Sequence, residues 1–325
     1  MDKTTNTSLG FHGRITTETL EETIKELKDK NRRAVSLAVT ELERLSPIAP
    51  ALLKGIQSDL GHALVVGFTG PPGAGKSTLV NALIRLIRIN KKTVAVIAVD
   101  PSSPVSGGAI LGDRIRMTAA LDDDGVFVRS LASRGYLGGL SPAAVRIIDA
   151  FDAAGYDFIL LETVGTGQNE IDVAEVADIR IVISAPGLGD EIQAMKSGLL
   201  EIADILVVNK GDRPGADETL HQLLGAVSIR STMSVKGPIL KTTATSGEGV
   251  DRLLLSIEEL GEKIMIQGSL ARRRRRARYL IARAAADIVA ERIKTGQKLQ
   301  LDQLSDQVLG GYLTPDLAAK ELIKD

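Results

Sequence analysis

The chain has 325 residues, of which 44% are hydrophobic and 25% charged, with a formal net charge of −1. It is long enough for one large core domain with two appendages, and it has no overall charge bias toward nucleic acid or an anionic membrane. Aromatic residues make up 3% and tryptophan is absent, which argues against stacking platforms for single-stranded nucleic acid and leaves a core of Val, Ile, Leu and Ala. Cysteine is also absent, so disulfides, thiolate metal sites and thiol nucleophiles are excluded together. The three histidines, His12, His62 and His221, are scattered without metal-ligand spacing. The first residues, MDKTTNTSLG, lack the apolar stretch of a signal peptide, and no apolar run reaches membrane-spanning length. Cytoplasmic location, with neither a membrane nor nucleic acid as partner, is the expectation.

Residues 1–60 read as an N-terminal helical appendage. Leu20, Ile24 and Leu27 form one helical stripe, and Val35, Ala38, Val39 and Leu42 form another at i, i+3, i+4, i+7. Ser46-Pro47 and Pro50 are expected to break this pattern.

From 61 to 265 the pattern becomes one of short apolar runs separated by amphipathic ones: Leu64–Phe68, Thr93–Val99, Val126–Arg129, Phe158–Leu161, Ile179–Ser184, Ile205–Asn209 and Ile239–Thr243. Near-continuous apolar strands are buried on both faces, so the expected fold class is α/β, a mostly parallel sheet flanked by helices. Ligands of such sheets bind beyond the carboxyl ends of the strands, and nearly every polar motif of this chain follows directly after one of these runs.

The first is Gly70-Pro71-Pro72-Gly73-Ala74-Gly75-Lys76-Ser77, followed by Thr78, which fits the phosphate-loop pattern G-x-x-x-x-G-K-[ST] between a strand and a helix. A strand that ends in such a turn aims backbone N–H groups and a helix N-terminus at one point, which suits a nucleoside triphosphate. Lys76 would reach the β/γ oxygens, and Ser77 would ligate Mg²⁺. Asp100 closes the second run, and Asp113 stands in a Gly-Asp-Arg string, where it reads equally as a Mg²⁺ ligand or as a helix N-cap. Glu162-Thr163-Val164-Gly165 follows the fourth run; its carboxylate could organise Mg²⁺, and the glycine N–H could sense a γ-phosphate.

Pro186–Gly198 is a further strand-to-helix loop, containing Gly187, Gly189, Asp190, Glu191, Gln193 and Lys196; it reads as a switch or as an ordinary capped loop. Asn209-Lys210-Gly211-Asp212 matches N-K-x-D. A carboxylate there accepts from the N1–H and N2 amine of guanine, a donor pair that adenine lacks, so GTP and GDP are the expected nucleotides. Thr243-Ala244-Thr245 loosely matches the loop that touches the base in guanine-binding proteins. No side chain stands out as a catalytic base. The candidate catalytic set is Lys76, Asp113 and Glu162, in keeping with the dominance of positioning and charge in phosphoryl transfer.

Residues 266–325 read as a C-terminal helical arm. It opens with the arginine run Arg272–Arg276 and continues with an apolar stripe of Leu280, Ile281, Ala284, Ala285, Ile288, Val289 and Ile293. A solvated helix end or a dimer contact fits the arginines better than a nucleic-acid or acyl-phosphate site, because the chain as a whole is neutral. Thr314-Pro315-Asp316 reads as the opening of a last short helix.

Together the strings Val99–Ser103, Gly107–Arg114, Ser133–Gly139, Glu162–Gln168 and Pro186–Gly198 resemble the MeaB/ArgK/MMAA family. The resemblance implies a SIMIBI-class P-loop NTPase core and a slow Mg²⁺-dependent GTPase. Its implied role is as chaperone of an adenosylcobalamin-dependent acyl-CoA mutase, either methylmalonyl-CoA mutase or a sister acting on isobutyryl-CoA or 2-hydroxyisobutyryl-CoA. It further implies gated loading of intact cofactor and removal of damaged cofactor, Mg²⁺ held by Ser77, Asp100, Asp113 and Glu162, and a third switch containing Gln193 and Lys196. A homodimer joined through the C-terminal arm is implied as well, with a corrinoid adenosyltransferase as a candidate further partner and no cobalamin bound directly. The rival classes are a nickel-type metallochaperone GTPase, which ordinarily displays Cys or His ligands, and a protein or transport kinase, as the ArgK name suggests.

Overall fold

The computed structural model describes residues 14–100, 123–132, 140–163, 169–188, 199–229, 237–295 and 298–323. The chain divides into two units, Met1–Arg275 and Arg276–Asp325.

The first unit begins with three helices, α1 (Leu20–Lys28), α2 (Arg32–Arg44) and α3 (Ala49–Ile56). Asn31 caps α2, its Oδ1 accepting from the N–H groups of Arg33 at 3.0 Å and Ala34 at 3.2 Å, which satisfies two of the donors that a helix start leaves open. The stripe Val35, Ala38, Val39 and Leu42 is fully buried. The expected break falls at residues 45–48, between α2 and α3, but Pro50 itself lies past it. It sits in the first turn of α3, where its missing N–H costs nothing.

Next come β1 (Leu64–Thr69), α4 (Lys76–Ile89), β2 (Val94–Asp100), β3 (Val126–Ala132), α5 (Pro142–Ala153), β4 (Phe158–Thr163), α6 (Asn169–Val176) and β5 (Ile179–Ser184). They are followed by α7 (Leu199–Ile202), β6 (Ile205–Val208), α8 (Ala216–Ile229), β7 (Ile239–Lys241) and α9 (Val250–Ile266). The strands form one sheet in the order β3-β2-β4-β1-β5-β6-β7, with every neighbouring pair parallel. β1 lies at the point where the connections change direction, which is where open α/β sheets bind ligands.

Both faces are covered. Leu64, Val66 and Phe68 of β1 pack with Leu79, Leu83 and Ile84 of α4 and with Val250, Leu253 and Ile257 of α9. Phe68 is completely buried, and its truncation to Ala would cost about 3–5 kcal/mol. A second cluster joins Val182, Leu206 and Val208 to Leu200 and Leu223. The edge strand β3 is protected by the N-terminal helices: Arg32 Nη1 donates to the Val126 carbonyl at 3.0 Å, and Arg129 pairs with Glu43.

α10 (Ser269–Thr295) carries the chain out of the first unit. Within the second, α11 (Lys298–Leu309) and α12 (Pro315–Ile323) share a small core of Leu304, Ala318 and Leu322. Among the described residues no helix is long and apolar enough to cross a membrane.

Candidate nucleotide site

β1 ends at Thr69, and the chain turns through Gly70–Gly75 before α4 starts at Lys76. Gly70, Gly73 and Gly75 all have positive φ, at 139°, 76° and 89°. Gly75 is the N-cap of α4, and a Cβ there would collide with Nδ2 of Asn209, so this position requires glycine on both conformational and steric grounds. Lys76 is only 6% exposed; its Nζ donates to the carbonyls of Gly70 at 2.8 Å and Pro71 at 3.0 Å. The lysine therefore lies across the loop, within reach of anything the loop cradles. Pro72, Gly73 and Thr78 are exposed, whereas Pro71 and Ala74 are buried.

Ser77 Oγ donates to Glu162 Oε1 at 2.5 Å. Glu162 is buried on β4, opposite Phe68 of β1 and Ala98 of β2. Asp100 ends β2, just beyond Ala98 in that register. A hydroxyl and a carboxylate meeting at a strand end are hard oxygen donors and fit a small divalent cation such as Mg²⁺.

Asn209, 2% exposed, joins three segments. Nδ2 donates to the carbonyls of Ala74 at 2.9 Å and Gly75 at 3.3 Å, while Oδ1 accepts from Thr242 Oγ1 and from the Ala244 N–H, both at 3.2 Å. Lys210 adopts a left-handed φ of 57°, and the Gly211 N–H donates to the Thr242 carbonyl at 2.9 Å. Asp212 and Thr245 are exposed. The loop at Thr243–Thr245 is thus brought to Asn209, and Thr243 closes it by pairing with Glu248. Thr242 escaped the sequence reading because no local pattern marks a residue whose hydroxyl serves a side chain on the neighbouring strand.

Gly187 is described, with φ of 84° and open space where a side chain would begin. Asp113, Gly165, Gly189, Asp190, Glu191, Gln193 and Lys196 lie outside the described residues. Of the two readings of the arginine run, a solvated helix end or a dimer contact, the first needs correction. Arg272 is 5% exposed and binds Asp178, and Arg273 and Arg275 hydrogen-bond to Gln57 and to the Ala177 carbonyl within the same unit, because backbone carbonyls and a buried carboxylate there are left open to accept.

A parallel sheet with a glycine loop between its central strand and a helix, and with an N-K-G-D turn tied to that loop, defines a P-loop GTPase. The family model described as "Methylmalonyl Co-A mutase-associated GTPase MeaB" matches residues 32–298, and the chain belongs to this family. A GTPase of Pyrococcus horikoshii is 44% identical, over 92% of this chain and 96% of its own length. GTPase ArgK of Escherichia coli is 37% identical, over 79% of this chain and 80% of its own. Among solved structures, one described as LAO/AO transport system kinase superposes with a TM-score of 0.75 at 27% identity, covering 96% of this chain and 99% of that one.

Proposed function

We propose that this GTPase is a Mg²⁺-dependent chaperone of an adenosylcobalamin-dependent acyl-CoA mutase, gating the loading of intact cofactor and the removal of damaged cofactor. The buried Asn209 bridge carries the nucleotide part of this reading, because it makes the phosphate loop and the base-reading loop one rigid receptor. The mutase part rests on the family, whose own description names methylmalonyl-CoA mutase. Methylmalonyl-CoA mutase is the first partner to test, and an isobutyryl- or 2-hydroxyisobutyryl-CoA mutase the second. An adenosyltransferase would join as a further component.

In this reading the N–H groups of residues 73–78, which follow the two prolines of the loop, and the start of α4 hold the phosphates, and Lys76 moves from its carbonyl partners to the β/γ oxygens. Ser77 and Glu162, with Asp100 and Asp113, would hold Mg²⁺, which when bound neutralises charge building on the phosphate oxygens. Asn209 and Lys210 shape the base pocket, Asp212 reads guanine, and Thr243–Thr245 closes it. Hydrolysis is slow in this reading, since the sequence marks no side chain as a catalytic base and positioning does most of the catalysis. The loops containing Gly165 and Gly187–Lys196 report the nucleotide state to the mutase.

We assign residues 1–60 to a helical appendage, 61–265 to the GTPase core and 266–325 to a dimerisation arm. Ile281 and Ile288 support the arm assignment, since both are exposed on the single chain, at 68% and 62%. The whole works in the cytoplasm.

The test combines the purified chain, GTP labelled at the γ-phosphate and each mutase in its apo form. Free labelled phosphate, nucleotide-dependent transfer of adenosylcobalamin and loss of hydrolysis in Lys76→Ala are the expected results. Label appearing on a protein would favour the kinase reading, and near-normal turnover of Lys76→Ala would overturn the site assignment.

A further inference from the structure

The arginines at the base of α10 end on the helix that follows the strand bearing Glu162. Arg275 Nε donates to the Glu175 carbonyl at 3.1 Å, and its Nη2 donates to the Ala177 carbonyl at 2.7 Å and to Asp178 Oδ1 at 3.3 Å. The last carbonyls of a helix have no partner within it, and a cation there also meets the negative end of the dipole. Arg275 therefore closes the C-terminal end of α6 from outside.

Asp178, which follows α6 and has a wholly buried side chain, is held on several sides. Its N–H donates to the Val65 carbonyl at 2.8 Å, its Oδ2 accepts from the Val65 N–H at 3.0 Å, and Arg272 Nη1 donates to the same oxygen at 3.1 Å. Arg272 also donates to the carbonyls of Gly61 at 2.7 Å and Ala63 at 3.2 Å, just before β1.

α6 also lies flush on β1. A Cβ at Gly67 would collide with Val173 of α6 and come within 2.9 Å of the Ala177 Cβ, so the missing side chain lets the helix rest directly on the strand that leads into Gly70. The start of α6, at Asn169, is joined by residues 164–168 to Thr163 and hence to Glu162, which meets Ser77. One short helix thus rests on the phosphate-loop strand at Gly67, follows the strand bearing Glu162 at its start, and is held by arginines at its end.

We propose that Arg275 and Arg272 are positioning residues for GTP hydrolysis. They fix the register of α6 against β1 and so keep the end of β4, with Glu162, aligned to the phosphate loop. Close-packed elements move as units, and small misplacements of reacting groups are costly in rate. Neither arginine touches nucleotide. The proposal goes beyond the chaperone reading and stands without it, since it concerns hydrolysis by the chain alone.

The experiment compares Arg275→Ala with Arg273→Ala in the full-length protein. Arg273 carries the same charge on the same helix, but it donates to Gln57, at 3.1 Å to the carbonyl and 2.9 Å to Oε1. Single-turnover GTP hydrolysis, GDP affinity and melting temperature are measured for both. Arg275→Ala is expected to slow hydrolysis about 10-fold, with GDP affinity within about 2-fold of the parent, while Arg273→Ala hydrolyses at the parent rate. Because the Arg275 side chain is 37% exposed, this variant carries the test even where Arg272→Ala fails to fold. An unchanged rate in Arg275→Ala, the same loss in Arg273→Ala, or a fall in GDP affinity matching the fall in rate would each overturn the proposal.

Discussion

The Asn209 amide nitrogen lies 2.9 Å from the Ala74 carbonyl, a partner 135 positions earlier in the chain. Its amide oxygen takes the Ala244 N–H at 3.2 Å, so one buried side chain sets the spacing between phosphate and base loops.

Asn209→Ala is expected to strand buried groups on both loops. Each unsatisfied group costs about 1–3 kcal/mol, so GDP affinity should fall by at least about 10-fold. Titration with a fluorescent guanine nucleotide measures this, and parent-like affinity would show that the two loops keep their places without the bridge.

The contact between Ser77 Oγ and Glu162 Oε1, at 2.5 Å, places two hard oxygens together. Ser77→Ala and Glu162→Gln should each raise the Mg²⁺ concentration needed for half-maximal hydrolysis by about 10-fold or more, since Mg²⁺ takes few protein oxygens directly. Hydrolysis followed against Mg²⁺ concentration gives the midpoint, and an unmoved midpoint in both variants would remove them from the metal site.

Asp212 is exposed at the turn after Lys210, where an incoming base can reach it. Asp212→Asn replaces an acceptor by a donor, and sites built on buried hydrogen bonds discriminate by about 10⁴-fold or more. Competition binding should show a large loss for GDP and a relative gain for the xanthine nucleotide, which presents an oxygen in place of the N2 amine. Equal preference in parent and variant would exclude Asp212 from base reading.

Burial pushes the Tyr156 hydroxyl from 10.0 up to about 12, and its ring meets Phe151 edge-on at 5.6 Å. Between these two values the unfolded chain gives up this proton while the folded chain keeps it. The contribution is whole below the lower value and lost as pH rises through the upper one, with a slope of up to about 1.4 kcal/mol per pH unit. Urea unfolding across the alkaline range should show a shallower decline for Tyr156→Phe, which keeps the ring; identical slopes would contradict the assignment.

Several features were legible in the sequence because they are local. The spacing from Gly70 to Ser77, read between an apolar run and a helical one, marks a turn into a helix, and apolar runs such as Ile179–Ser184 declare strands buried on both faces. The meeting of Ser77 with Glu162, and of Asn209 with the phosphate loop, follows from the place of those motifs at strand ends. Periodicity could not tell that Pro50 opens α3 instead of ending a helix, because proline is compatible with either place.

Sequence alone determined that this chain builds a parallel sheet around a phosphate loop and an N-K-G-D turn, since those signals are written in neighbouring residues. Tertiary structure decided that Asn209 spans the two loops, that Thr242 supports it, and that Arg272 and Arg275 close on Asp178. The physical reason is that hydrogen bonds across 94 positions, as from Asp178 to Arg272, depend on the order of strands in the sheet. Strand order is a property of how the covered faces pack together, and no single segment carries it.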